Sequence, residues 1–313
     1  MPQWAEQNGW GDQSEEGSII IPYHEPTESR HSLEFITGDF QRFLAKSENL
    51  QQQDGIKSCS HRQFDVDGKE LFALYTGSPT GVPDEWRGTE EEVTEYIQAI
   101  FDERELPLLL LVFTAFESVT EDVEEGSMTM YKTSELEPLA EAFRKVQWRQ
   151  SVPIVGAQIL SRFLCQHPLP NTNHRTGIDI LEKYFQTFDE TIEFPDTGAV
   201  GVWHDWAKEY VLSSKRILTF RQGSGVLAHA YSLGVEKIQR KDDLIIDLGS
   251  ELIGQQESGS SDSYTQIHQT RTRTFVHHLL ERSGATHLRE ETDDGMRTFL
   301  DRVDETHSID SSV

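Results

Sequence analysis

The chain has 313 residues and sets 28 Lys plus Arg against 54 Asp plus Glu, for a formal net charge of −26. That balance opposes broad nucleic-acid binding, which needs a basic stripe; Arg271 and Arg273 read as an isolated pair. Cys59 and Cys165 are too few for a disulfide framework and lack zinc-site spacing, and the longest apolar run, Leu106 to Phe113, is too short to cross a bilayer.

From Met1 to about Arg30 the chain is rich in Gln, Glu, Gly and Ser and reads as a flexible acidic arm. It has no apolar segment of the signal-peptide kind, so a cytoplasmic protein is expected. Residues 31–88 read as a small α/β module. Its parts are a helix from His31 to Leu50, a hairpin from Arg62 to Thr76 turning at Asp67-Gly68, and a linker from Gly77 to Gly88. Thr89 and the three glutamates after it form a capping-box pattern that opens a helix to about Glu103. Leu106 to Glu117 is apolar enough for a buried helix, and Ser127 to Thr133 reads either as a short hairpin or as a helix–helix loop. Ser134 to Trp148 is amphipathic through Leu136, Leu139, Ala142 and Phe143. A further helix spans Ser151 to Gln166, with Ser151 as its cap and Pro153 in the first turn, where a missing N–H is harmless. Pro168 biases His167 away from helical geometry, so that helix ends there. Ile178, Leu181, Phe185 and Phe188 then mark one face of another helix, which Asn171, Thr172 or Asn173 can cap.

This corner between two helices carries the chemistry. A helix N-terminus offers free N–H groups and partial positive charge to an anion, phosphate in particular. Arg175 and His174 fall in the first turn, where the dipole disfavours a cation unless a polyphosphate sits over both. The stretch His167-Pro-Leu-Pro-Asn-Thr-Asn-His-Arg175 resembles the signature of the Fic/Doc family, H-x-[FL]-x-[DEN]-[GA]-N-[GK]-R. His167, Leu169, Asn173 and Arg175 match, and Asn-His-Arg-Thr-Gly is similar to the Doc-type Asn-Lys-Arg-Thr-Ala. The resemblance covers roughly residues 130 to 190. It implies a Fic-type helical core over 89–220 that transfers AMP, or in the Doc branch a phosphate, from ATP or another nucleotide with Mg²⁺ to a hydroxyl of a target protein. By the same resemblance His167 is the general base, Asn173 orients a phosphate, and Arg175 neutralises its charge. Thr172, Asn173 and His174 offer backbone N–H groups, Asn171 holds Mg²⁺ weakly, and a target-holding flap falls at Ser127 to Lys132. A toxin with an antitoxin, or a homo-oligomer, belongs to the same set of expectations. Three departures favour a Doc-like or a catalytically degenerate site acting as an interaction module: Asn171 for an acid, Thr172 for Gly or Ala, and Ile178 for a second Arg. Thr120 to Gly126 is one residue too long for the family's inhibitory helix, so intramolecular inhibition is not expected.

Beyond the corner, Pro195 to Gly198 reads as a turn and Val200 to Ile217 as a Trp-rich helix. Phe220 to Ile238 reads as short strands broken at Gly223 and Gly225, and Leu244 to Leu252 as strand or short helix, within an extension at 221–255. Residues 256–313 read as a linker, a helix from Tyr264 to Ser283, and a frayed acidic tail. His204-Asp205 is a weak sign of an HD-type metal-dependent phosphohydrolase, and Trp203 and Trp206 make it more readily a helix-surface pair. Diffuse acidity with only 10 Lys among the basic residues is similar to proteins of salt-loving organisms, where charge keeps the surface soluble. The expected fold is mainly α, with a small β-containing N-terminal module and short β elements after the core.

Overall fold

In a computed structural model, the residues described are 20–22, 33–37, 40, 41, 44, 58–66, 69–77, 90–121, 134–199, 202–232, 235–240, 244–249 and 261–310. The fold is mainly helical, as expected, and its strands flank the helical run in sequence. In order they are β1 (Ile20–Pro22), β2 (Leu33–Thr37), β3 (Ser58–Val66), β4 (Lys69–Gly77), α1 (Glu90–Ile100), α2 (Leu106–Glu121), α3 (Leu136–Arg144), α4 (Val152–Gln166) and α5 (Asn173–Gln186). There follow α6 (Asp205–Ser232), β5 (Lys237–Gln239), β6 (Ile245–Asp247), α7 (Ser261–Arg282) and α8 (Met296–Asp310). Gly77, the first residue of the expected linker, ends β4; the rest of that linker (78–88), the flap segment, the Asp67-Gly68 turn and the Thr89 cap lie outside the described residues.

The chain divides into two units, residues 1–26 with 211–268, and residues 27–210 with 269–313. In the larger unit β4 lies between β2 and β3 in an antiparallel sheet. The β3–β4 register sets Val66 opposite Lys69, which fits the expected hairpin. The expected helix at His31–Leu50 gives way at its start: Leu33–Thr37 is a strand paired with β4, and Phe40, Gln41 and Leu44 are helical. Periodicity misled there because Leu33, Phe35 and the β-branched Ile36 also suit a strand beside a ready edge.

The apolar periodicity of α2 to α5 becomes the core. α4 packs on α3 and α5, and α5 also packs on α2. Phe113, Phe116, Phe143, Phe163, Tyr184 and Phe185 are fully buried. Asp102 caps the turn before α2, accepting N–H bonds from Arg104 at 2.9 Å and Glu105 at 3.1 Å. Glu105 in turn holds Arg144 at the end of α3 in an ion pair, with an Nε bond of 2.8 Å. α4 and α5 approach closely because two glycines face the partner helix. A Cβ on Gly156 would lie 2.9 Å from Leu181 Cδ1, and one on Gly177 would lie 2.8 Å from Leu160 Cδ1. Gly156→Val is therefore expected to overpack this contact, costing about 1.5 kcal/mol in urea unfolding. An unchanged midpoint would show that the two helices yield freely.

The C-terminal tail is not frayed as expected. Met296, Phe299, Leu300 and Val303 repeat at helical spacing in α8, and Phe299, Leu300 and Val303 are buried. Trp148 stacks on Phe299 at 5.6 Å, and the Tyr184 hydroxyl donates to Asp293 at 2.9 Å. In the smaller unit, the strands expected at Phe220 to Ile238 are instead the second half of α6. A glycine costs a helix only about 1 kcal/mol, and burial of Phe220 and Leu227, two turns apart, exceeds that. β1, placed by sequence in the flexible arm, pairs in parallel with β5, which pairs antiparallel with β6. Ile238, Ile246, Leu248 and Tyr264 close this unit's core around Phe220 and Leu227. Among the described residues no helix is long and apolar enough to cross a membrane.

Candidate functional site

The corner at 167–175 is built by two left-handed residues. α4 ends at Gln166 as Pro168 dictates, and His167 adopts φ 51 and ψ 52 while its N–H bonds Phe163 O at 2.9 Å. Thr172 adopts φ 55 and ψ 12 just before α5. Neither is glycine, so each position costs about 1 kcal/mol that the surroundings must offset. The offset comes largely from Asn173, only 2% exposed. Its Oδ1 accepts the Leu169 N–H at 3.0 Å and its Nδ2 donates to Leu169 O at 2.9 Å, closing the loop like a rung of sheet. The same Nδ2 lies 3.5 Å from His167 Nδ1.

The expected caps fare differently. Ser151 and Thr172 occupy the capping positions but make no side-chain cap bond. A left-handed Thr172 is not in the extended conformation from which a hydroxyl reaches back to the helix. Its Oγ1 lies instead 3.3 Å from Thr176 Oγ1. The Thr172 N–H, one of the three expected to cradle a phosphate, donates to Asn171 Oδ1 at 2.7 Å. That bond engages the amide oxygen expected to reach Mg²⁺.

Arg175 is 7% exposed and turns sideways from the helix start. Nη1 donates to Thr197 Oγ1 at 2.7 Å and Gly198 O at 2.5 Å, and Nη2 to Ala199 O at 2.6 Å and Val202 O at 2.9 Å. The guanidinium also lies 4.0 Å from the Trp203 ring centroid, a cation–π contact, and His174 meets the same ring edge-on at 6.5 Å. Three carbonyl dipoles, a hydroxyl and an aromatic face thus compensate a cation that the helix dipole disfavours. Sequence reasoning assigned that compensation to a polyphosphate. Ile178, where a second Arg was sought, is buried in the core.

The loop that receives Arg175 is shaped for it. Asp196 accepts the Gly198 N–H at 2.9 Å, pairs with His204 Nε2 at 3.1 Å, and accepts Trp206 Nε1 on its carbonyl at 2.9 Å. The Gly198 N–H, then His204, hold the Asp196 carboxyl below its ordinary pKa. Gly198 takes φ +93, and a Cβ there would lie 2.6 Å from Val202 O, so only glycine fits. His204 of the HD pair therefore serves the loop through Asp196, and no group of three or more His, Cys, Asp and Glu fit to hold a metal occurs among the described residues.

Further along α5 the same face continues the clamp. Glu182 Oε1 accepts the Phe194 N–H at 2.5 Å, and Gln186 donates to Ile192 O at 2.8 Å. Asp179 sits between Arg175 and Glu182 on this row. Burial first, and Glu182 after it, push its carboxyl up to about 6 against the pull of Lys183. Sequence reasoning missed the row, although polar residues at 175, 179, 182 and 186 repeat at helical spacing between apolar ones. It also missed Ser214 Oγ, 2.7 Å from His268 Nε2 in the smaller unit. Both side chains are buried, and burial, with Arg221 adding, pushes His268 down to about 3. That imidazole is neutral and joins α6 to α7. Cys165 is a buried thiol, as its apolar neighbours suggested.

The chain belongs to a family of unknown function, DUF8172, which matches residues 18–307. No curated protein and no solved structure matches it.

Proposed function

We propose that this protein is a Fic/Doc-like helical scaffold whose signature corner serves structure rather than group transfer, and that it works as an interaction module. The observation that carries this reading is Arg175. A guanidinium with four oxygen acceptors and Trp203 beside it is a keystone for Thr197 to Ala199 and Val202, and moving it onto a phosphate would strip the Gly198 and Val202 carbonyls of their donor. Asn173, fastened at both ends of its amide to Leu169, supports the same view. A titration with ATP and Mg²⁺ at low and high salt is expected to give no saturable heat. Incubation with a cell extract and ATP labelled at the α- or the γ-phosphate is expected to label no protein.

One observation favours a second reading, nucleotide-dependent transfer of AMP or phosphate to a protein Ser, Thr or Tyr hydroxyl. His167 is half-exposed at the mouth of the corner, and the Asn173 amide 3.5 Å away is placed to orient its ring as a base. Labelling of a target by either nucleotide, abolished by His167→Ala, would establish this reading and reject the first. An antitoxin, or a second copy of the chain, would then be the partner to seek. The HD-type hydrolase keeps no observation in its favour.

A further inference from the structure

The acidity of this chain is not uniform. Across the whole sequence Asp and Glu number 54 in 313 residues, about one in six, yet between Ser263 and Arg289 Glu281 is the sole acid. The same stretch holds Arg271, Arg273, Arg282 and Arg289 and four histidines. His268 is buried, and the other basic residues of helix α7 spread over the half of its surface turned away from the core. Arg271, Arg273, His278 and Arg282 are exposed, His277 is half-buried among them, and the apolar Phe275, Val276, Leu279 and Leu280 face inward.

His277 is held below its ordinary pKa by burial first, then by Arg289, Arg273 and His278, with Glu281 opposing. Glu281 is already taken by Arg289 Nη2 at 2.6 Å. Arg289 Nη2 also donates to His277 O at 3.1 Å, while its buried Nε has no hydrogen-bond partner among the described residues. Arg282 lies 5.9 Å from the Trp206 ring centroid, at the outer limit of a cation–π contact. Among the described residues no carboxylate pairs with Arg271 or Arg273. Like charges repel one another, and an anionic partner removes that cost. Sequence alone left Arg271 and Arg273 as an isolated pair; the helix joins them to Arg282, Arg289 and two histidines.

We infer that the exposed face of α7 from Arg271 to Arg282, with Arg289 beside it, docks a short acidic segment of a partner protein. The size of the face selects this partner. From Arg271 to Arg282 the helix rises about 17 Å, the length of about five extended residues. Carboxylates fit the planar forks of the arginines, and a short segment ends before it meets the acidic surface beyond. A nucleic acid continues its charge past such a footprint, and the net charge of −26 repels it. The inference is independent of the corner, and it stands whether or not His167 supports chemistry.

The test is fluorescence anisotropy of the full chain with a labelled oligo-glutamate peptide of about ten residues and, separately, a labelled single-stranded oligonucleotide of equal charge. At low salt the peptide is expected to bind saturably, and raising salt roughly tenfold is expected to weaken it about tenfold or more. The variant R271E/R273E reverses two exposed charges that have no carboxylate partner among the described residues, so its melting curve should match the parent while peptide affinity falls about tenfold. R271Q/R273Q, which only neutralises, should lie between the two and keeps the test valid should the reversal disturb folding. No peptide binding, or binding indifferent to both variants, overturns the inference. Tighter binding of the oligonucleotide overturns the choice of partner.

Discussion

Replacing Arg175 by Ala is expected to destabilise the protein by about 4 kcal/mol, the largest effect of any single change considered in this molecule. The cause is less the lost attraction than what remains behind. The carbonyls of Gly198 and Val202 and the Thr197 hydroxyl would lose this donor, and Ala199 O would keep only the Val202 N–H at 2.9 Å. Arg175→Lys should recover less than half of the loss, because an ammonium on a flexible stem cannot span four acceptors as a planar fork does. Urea unfolding followed by tryptophan fluorescence measures the loss. Limited proteolysis offers a local readout, since the loop from Thr197 to Val202 should become the first site of cleavage. A variant that unfolds within about 0.5 kcal/mol of the parent would remove the keystone reading. A stable variant that instead loses ATP binding would return Arg175 to the phosphate role its motif implies.

Asp179→Asn is expected to stabilise the protein by about 2 kcal/mol at pH 7.5 and to have little effect near pH 4. The Asp179 carboxyl, ordinarily near 3.8, rises to about 6 in the folded chain, chiefly because burial penalises its charged form. Since the folded pKa lies above the unfolded one, the folded state holds a proton that the unfolded state has released between these values. The associated stability is complete below about pH 3.8 and is lost as pH rises through 6. Above that, wild-type protein carries a half-buried carboxylate between Arg175 and Glu182, and the amide does not. Thermal melts of both proteins from pH 4 to pH 8 should diverge steadily across that window. Parallel curves would mean that Asp179 is solvated in the folded state.

The pH window also bears on the loop. Arg175, Glu182 and Gln186 each bond the segment between Ile192 and Val202, and Asp179 lies in the middle of that row. Easing Asp179 should tighten the clamp, so Asp179→Asn and Arg175→Ala are close enough to couple. Their double variant is expected to depart from additivity by more than about 0.5 kcal/mol.

Much of this molecule was legible in the chain itself. Apolar spacing announced α2 to α5, the Pro168 rule placed the end of α4, and the paired strands expected between Arg62 and Thr76 are β3 and β4. These are local effects, in which a side chain acts on backbone within a turn of itself. Spacing also drew α8, where Phe299 and Val303 sit one turn apart, but acidic composition outweighed it in the reading. Other features had no local cause. Leu33 to Thr37 is a strand because β4 offers it an edge, Gly223 lies in α6 because Phe220 and Leu227 find a core, and Ile20 is ordered by pairing with β5. The motif residues divide along the same line. Sequence placed His167, Asn173 and Arg175 on one corner between two helices, because spacing along the chain fixes where residues stand. It could not decide where the Arg175 guanidinium turns, since that depends on carbonyls 23 to 27 residues away that only the folded loop brings together.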